Sequence, residues 1–148
     1  MRPEDRYDVA LRIFAEVFSL DWLLLKAQIK AESNFDPVAR SSAGALGLSQ
    51  FMPATFSEWS TRLGIVNPNP LNPRHSIFCQ AAFFSWLLKQ FSGDLPAALA
   101  AYNWGIGNVK RVAAAMGEAW KAGLPEETQN YLAKIEIYYD RYIKEEMS

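Results

Sequence analysis

Cysteine and histidine each occur once in the 148 residues, and that scarcity excludes several kinds of chemistry. A lone thiol forms no internal disulfide, and one cysteine with one histidine is not a ligand set for a conventional zinc site. No metal and no cofactor is implied. Cys79 lies in an apolar run and reads as a small buried residue. His75 is one helical turn away, but the segment reads as core, so a thiol–imidazole nucleophile is set aside. Charge of one sign is also missing: 15 basic and 16 acidic residues leave a formal net charge of −1. No basic stripe is present, so nucleic acid is not an expected partner. Long hydrophobic runs are absent as well. "DWLLLKA" and "FCQAAFFSWLL" are interrupted too often for a membrane span. The first residues, "MRPEDRYDVALRIF", carry acids early and have no continuous apolar stretch, so they do not read as a signal peptide. Synthesis as a cytosolic protein and removal of a leader both remain open.

The composition is 50% hydrophobic and 14% aromatic, which is that of a globular chain and not a disordered one. The length suits one domain, taken as residues 1–148, large enough to bury roughly 68–70% of its unfolded surface. Strands of the alternating, β-branched kind are not found, whereas helical periodicity recurs throughout. The expected fold is all-α, with about seven helices. Pro3 suits a first helical position, followed by a stripe of Tyr7, Ala10, Leu11, Phe14, Val17 and Phe18. A second helix begins near Ser19 or Asp21 and runs to about Ser33. A Ser-, Ala- and Gly-rich loop covers 34–48. Pro53 opens a short helix to about Leu63, stopped by Gly64. "NPNPLNP" at 67–73 is a rigid linker. A long helix follows at about 74–91, closed by Gly93, then helices near 95–103, 106–116 and from Pro125 to about 145. Tyr131, Ile135, Tyr138 and Tyr142 form one apolar face of the last, which reads as core packing.

At about 100° per residue, Glu32 falls on the same side of the second helix as Trp22, Leu25 and Ile29, while Lys26 and Lys30 lie away from it. The carboxylate is also at the helix C-terminus, where unpaired carbonyls disfavour negative charge. Apolar neighbours disfavour ionisation too, so the expected pKa shift is upward, as a general acid requires. From the helix alone, a solvated helix-end glutamate is the better reading.

Three further segments bear on the choice. Gly44 and Gly47 allow close approach of backbone to something, either a polymer chain or another helix. In "LSQFMPAT", Gln50 offers a donor and an acceptor and Met52 an adaptable apolar surface. In "AAYNWG", Tyr102, Asn103 and Trp104 at a helix end could stack on and hydrogen-bond a sugar, or simply form a core corner.

Taken together, "AES" (31–33), "GALGLSQFMPAT" (44–55), "AAYNWG" (100–105) and "EETQNYLAKI" (126–135) resemble, in order and spacing, the soluble lytic transglycosylase (SLT) catalytic domain. That family shares the lysozyme-like fold of goose-type lysozyme. The resemblance spans residues 31–135 and implies a substrate groove that takes peptidoglycan glycan strands. It further implies non-hydrolytic cleavage of the β-1,4 bond between N-acetylmuramic acid and N-acetylglucosamine, leaving a 1,6-anhydro-muramic end. Carried over, Glu32 is the acid and then the base, and Ser41 holds its carboxyl group. Ser33, Gln50, Met52, Tyr102 and Asn103 belong to the substrate site, with Glu127 and Tyr131 beside the cleft.

Most glycosidases use two carboxylates about 5–9 Å apart. Near Glu32 the sequence offers Asp36, read as a turn residue because Asp-Pro favours a turn. Assistance from the substrate's own N-acetyl oxygen would make one carboxylate enough. Three departures from the family pattern are expected to touch the groove: Ser49 in place of Met, Phe51 in place of an aliphatic residue, and Trp104 in place of a small one. The alternatives are a hydrolytic muramidase on the same fold and a non-catalytic wall-binding component of a phage or secretion apparatus. The expected place of action is the cell wall. A monomer is expected, delivered by a phage, released through a holin, or trimmed from a secreted form.

Overall fold

A computed structural model describes all 148 residues. A 3₁₀ turn at Pro3–Asp5 precedes α1 (Asp8–Val17), α2 (Trp22–Ser33), α3 (Pro53–Arg62), α4 (Pro73–Gln90), α5 (Leu95–Trp104) and α6 (Ile106–Met116). A 3₁₀ segment at Gly117–Gly123 then leads to α7 (Glu126–Met147). The fold is all-α with seven α-helices. The only β-type pairings are two isolated bridges, Arg40 with Leu46 and Leu46 with Phe51. No helix is long and apolar enough to cross a membrane.

Local chemistry explains most boundaries. Of the two candidate caps for α2, Asp21 is the one used: its side chain accepts the Leu23 N–H at 3.0 Å. Asn72 caps α4 by accepting from Arg74 and His75, and Asp94 caps α5 by accepting from Ala97. Asn34 ends α2 in the left-handed conformation (φ +50°). Pro3 begins only a 3₁₀ turn, so the expected first helix is split and its regular part starts at Asp8.

Leu11, Leu25, Ile29, Leu48, Ile77, Phe84, Leu87, Val109, Ile135 and Tyr142 are all essentially inaccessible and belong to one core shared by α1, α2 and α4–α7. α4 contributes Ile77, Ala81, Phe84 and Leu87 to it. A smaller apolar cluster of Phe51, Phe56, Trp59, Cys79 and Ala82 holds α3 against α4. Cys79 is fully buried, and burial pushes its thiol up to about 12. His75 is engaged elsewhere: its Nδ1 accepts the Asn69 N–H at 3.2 Å, bracing the proline-rich segment.

Lys26 departs from the sequence expectation in one respect. It does point away from Glu32, but it is buried, its side chain only 4% exposed. The N-terminal segment folds over it. Its Nζ donates to Asp5 Oδ1 at 2.8 Å and pairs with Asp8 Oδ1 at 2.9 Å without hydrogen-bond alignment, 4.8 Å from the Tyr142 ring centroid. Lys26→Met leaves Asp8 without a partner, whereas Asp5 keeps its bonds to Arg2 at 2.8 and 3.1 Å. Removing one partner of a buried pair is strongly destabilising; because both carboxylates are 28% exposed, solvent screens part of that loss. The expected cost is about 2 kcal/mol, or ~4–8 °C in Tm by thermal melting.

Candidate active site

α2 ends with Ile29 packed in the core and Glu32 one turn further on, at the floor of a cleft of ≈ 1030 Å³. The 41–55 segment and helices α3, α4, α5 and α7 line the cleft. Glu32 Oε2 accepts the Tyr131 hydroxyl proton at 2.8 Å. Oε1 has no protein hydrogen-bond partner and is not among the fully buried polar atoms, so it opens toward the cleft. The carboxyl group is pushed up to about 8, chiefly by burial; the Tyr131 hydrogen bond opposes the rise and the Glu127 charge adds to it. The upward direction agrees with the helix-phase reading. The cause is burial, with no contribution required from the helix end.

Most of the sequence-predicted residues meet here. Glu32, Ser41, Gln50, Met52, Tyr102, Asn103, Glu127 and Tyr131 all line the cleft. Gln50 sits at φ +51° and donates from Nε2 to Gly47 O at 3.0 Å and Ala39 O at 3.3 Å, leaving its carbonyl free. Met52 is 46% exposed. Asn103 Oδ1 accepts from the buried Thr128 hydroxyl at 2.9 Å, which turns its amide N–H groups outward. Tyr102 donates to Ser49 O at 2.9 Å, tying α5 to the loop.

Four expectations are corrected. Ser33 does not face the cleft: its hydroxyl lies 2.8 Å from Leu48 O and 3.3 Å from Ile29 O, joining the end of α2 to the loop. Ser41 lines the cleft but makes no hydrogen bond to Glu32; its Oγ accepts the Ala45 N–H at 2.9 Å and shapes the loop. Ser49 does not touch the groove at all, being fully buried against Ser76 and Gln80. The carboxylate closest in influence to Glu32 is Glu127, not Asp36. Asp36 is exposed, outside the cleft, and accepts the Val38 N–H at 3.0 Å, as a turn residue does. Phe51 and Trp104 do line the cleft.

An aromatic wall is absent from the sequence-based expectations. Trp59, Phe83 and Trp86 line one end of the cleft with Phe51 and Tyr102. Phe83 is at its centre, 5.2 Å from Tyr102, 5.6 Å from Trp59 and 6.4 Å from Trp86 between ring centroids. Such rings offer flat apolar faces to the C–H face of a sugar. The "FFSWLL" run reads as core, yet its aromatics at 83 and 86 are partly exposed while Phe84 and Leu87 are buried. That alternation is seen only in the folded chain; the run of large apolar residues does not by itself separate the two sets. No group of three or more His, Cys, Asp or Glu side chains is placed to hold a metal ion.

A family-wide sequence profile described as Transglycosylase SLT domain matches residues 12–123. The chain belongs to this family. It is 33% identical over 140 residues to peptidoglycan transglycosylase gp16 of Escherichia phage T7, covering 90% of this chain and 10% of that protein. Membrane-bound lytic murein transglycosylase F 1 of Alkalilimnicola ehrlichii is 38% identical over 102 residues, covering 65% and 19%. The chain thus spans a tenth to a fifth of the length of these relatives. The crystal structure of an inactive mutant of lytic transglycosylase Slt from Pseudomonas aeruginosa superposes with TM-score 0.86 at 29% identity, over 95% of this SLT chain and 24% of that one.

In this SLT-family chain, Tyr131, just beyond the matched residues 12–123, supplies the one protein hydrogen bond to the candidate acid. Tyr131→Phe removes a donor that favours the carboxylate, so the Glu32 pKa rises further. The alkaline limb of a pH–rate profile should move up by about one pH unit. Gln28 Nε2, which donates to the Tyr131 oxygen at 2.9 Å, is left unsatisfied, at a further stability cost of about 1–3 kcal/mol.

Proposed function

We propose that residues 1–148 form one catalytic domain that acts as a monomeric lytic transglycosylase on peptidoglycan glycan strands. The observation that carries this reading is Glu32: a cleft-floor carboxyl group raised to about 8, with one oxygen held by Tyr131 and the other free toward the cleft. At neutral pH it holds a proton and can release it, as general acid catalysis needs.

The reaction balances without water. Glu32 passes its proton to the O4 of the departing N-acetylglucosamine as the C1–O4 bond breaks. The muramic N-acetyl oxygen holds C1 from the opposite face. The Glu32 carboxylate then removes the 6-hydroxyl proton, O6 bonds to C1, the N-acetyl oxygen leaves C1, and Glu32 is protonated again. The Glu32 acid thus serves as its own base. Asn103 and Gln50 offer amide groups to sugar hydroxyl and acetamido groups, Met52 and the aromatic wall offer apolar faces, and Glu127 completes the rim. The work is done at the cell wall. The likeness to a phage peptidoglycan transglycosylase supports delivery by a phage particle.

The test is release of soluble fragments from purified peptidoglycan. Fragments bearing 1,6-anhydro-muramic ends are expected. Intact peptidoglycan after prolonged incubation with folded protein would leave only a wall-binding role.

A further inference from the structure

Behind Glu32 lies a continuous row of buried polar side chains that the reaction above does not use. Tyr131 donates to Glu32; Gln28 Nε2 donates to the Tyr131 oxygen at 2.9 Å; Gln80 Nε2 donates to Gln28 Oε1 at 2.8 Å; Ser49 Oγ donates to Gln80 Oε1 at 3.1 Å. Gln28, Gln80, Ser49 and Ser76 are completely inaccessible and Tyr131 is 5% exposed. These groups come from α7, α2, α4 and the cleft loop, so one row joins the acid to the segment carrying Gln50 and Met52. Gln80 lies in the middle of an otherwise apolar stretch of α4, and a buried amide there requires partners.

Every donor in the row points toward Glu32, and one fixed group sets that direction. The Leu25 carbonyl lies 3.2 Å from Gln80 Nε2. A carbonyl accepts and cannot donate, so the NH₂ of Gln80 must face it. The Gln80 oxygen then faces Ser49, whose hydroxyl proton has two acceptors in reach, Gln80 Oε1 at 3.1 Å and Ser76 O at 3.3 Å; Ser76 Oγ donates to Ser49 Oγ at 3.0 Å and accepts the Ser49 N–H at 3.1 Å. With its NH₂ fixed, Gln80 presents a donor to Gln28, whose amide must turn its oxygen to Gln80 and its NH₂ to Tyr131. The Tyr131 oxygen is then occupied as an acceptor, so its own proton goes to Glu32 Oε2. A carboxyl group that accepts at Oε2 carries its acidic proton on Oε1, the oxygen open to the cleft.

We propose that Gln80, braced by Ser49, is a positioning residue: it fixes the Gln28 amide so that Tyr131 donates to Glu32 and the transferable proton sits on the oxygen facing the substrate. This rests on the reading of Glu32 as the acid. Ser49 is the position where methionine is expected from the family pattern, and the buried row gives that departure a purpose. Without Gln80, the Gln28 amide can invert and accept from Tyr131. The Tyr131 lone pair then faces Glu32, and the Glu32 proton turns inward, away from substrate.

Gln80→Leu is therefore expected to lower kcat about tenfold with KM nearly unchanged. The Glu32 carboxyl titration, followed by carbon-13 NMR, should move upward. The double variant Gln28→Leu/Gln80→Leu removes both amides, leaves Glu32 as the only partner of Tyr131, and should return kcat to within about threefold of wild type. The surrounding ionisable groups stay in place in every variant: Tyr131 and Glu127 of α7, Tyr102 of α5, and Glu58, Glu126 and Lys134 on the cleft wall. In the unaltered protein, the Gln28 amide protons should show cross-relaxation to the Tyr131 ring edge, a readout that needs no variant to fold. The proposal is overturned by a folded Gln80→Leu with wild-type kcat and Glu32 titration, by a double variant as impaired as the single one, or by a Gln28 amide whose protons lie away from Tyr131. Titration and cross-relaxation are read equally well in a protein that cleaves nothing, so loss of the enzymatic reading would be recognised separately.

Discussion

Glu32→Gln should lower the release of fragments from peptidoglycan by about 10³-fold while making the protein more stable at pH 7. The loss follows from removing the only carboxyl group at the cleft floor; glutamine can accept from Tyr131 but has no proton to transfer and cannot act as a base. The gain follows from linkage. The Glu32 pKa is raised from 4.5 to about 8, so the folded state holds a proton that the unfolded chain has lost by neutral pH. Its contribution is therefore fully present below pH 4.5 and is lost as pH rises toward 8. A tenfold difference in proton affinity between the folded and unfolded states corresponds to about 1.36 kcal/mol. Glu32 is partly exposed by surface area, so only a fraction applies, and the expected gain for the glutamine variant is about 2 kcal/mol at pH 7. Thermal melts of the two proteins should differ by ~4–8 °C at pH 7 and converge near pH 4.5. Equal melting temperatures across that range would mean that Glu32 is solvated and not held as an acid.

Gly47→Ala should be the most damaging small substitution outside the cleft floor. Gly47 sits at φ +79°, and a Cβ there would lie 2.1 Å from the Pro70 carbonyl oxygen. That oxygen belongs to backbone braced by Asn69 and His75 and cannot swing aside as a flexible side chain could. Gly47 also donates to Ala39 O at 2.9 Å, and its own oxygen receives Gln50 Nε2. Moving it displaces Gln50 and Met52 from the cleft wall. Strain and collision together should cost about 3 kcal/mol, with kcat/KM falling at least tenfold in the molecules that remain folded. Gly64 is the control: it shares a positive φ (+67°), but nothing lies within 4 Å of its missing Cβ. Gly64→Ala should cost only about 1 kcal/mol. If the two variants melt together, contact with Pro70 does not matter.

Glu32 shows why the helices are readable. Its inward direction follows from helix phase alone, because three apolar residues of α2 mark the buried side. The ends of α2, α4 and α5 are equally visible in Asp21, Asn72, Asp94 and the prolines. The serines are not. Ser33 is the last residue of α2, and Ser41 and Ser49 sit in the irregular loop after it, where no period says which way a side chain points; only Ser41 reaches the cleft. The burial of Lys26 is hidden for a related reason. The periodicity of α2 records which side faces the main core, but not that a segment twenty residues earlier folds over the opposite side. Gln80 leaves a clue in being polar inside "FCQAAFFSWLL". Its partners lie 31, 52 and 55 residues away, a separation that a single chain does not reveal. The motif places Glu127 beside the cleft, but its electrostatic effect on Glu32 requires the packing of α7 along α2.

What takes the place of the departing sugar at C1 separates the anhydro reaction from hydrolysis. Digestion of peptidoglycan in water enriched in oxygen-18, followed by mass spectrometry of the new muramic ends, decides it. Closure by the 6-hydroxyl, with Glu32 as both acid and base, predicts 1,6-anhydro ends free of the heavy isotope. Reducing ends carrying one oxygen-18 atom would contradict it, and would make Glu127 the first candidate for activating the attacking water.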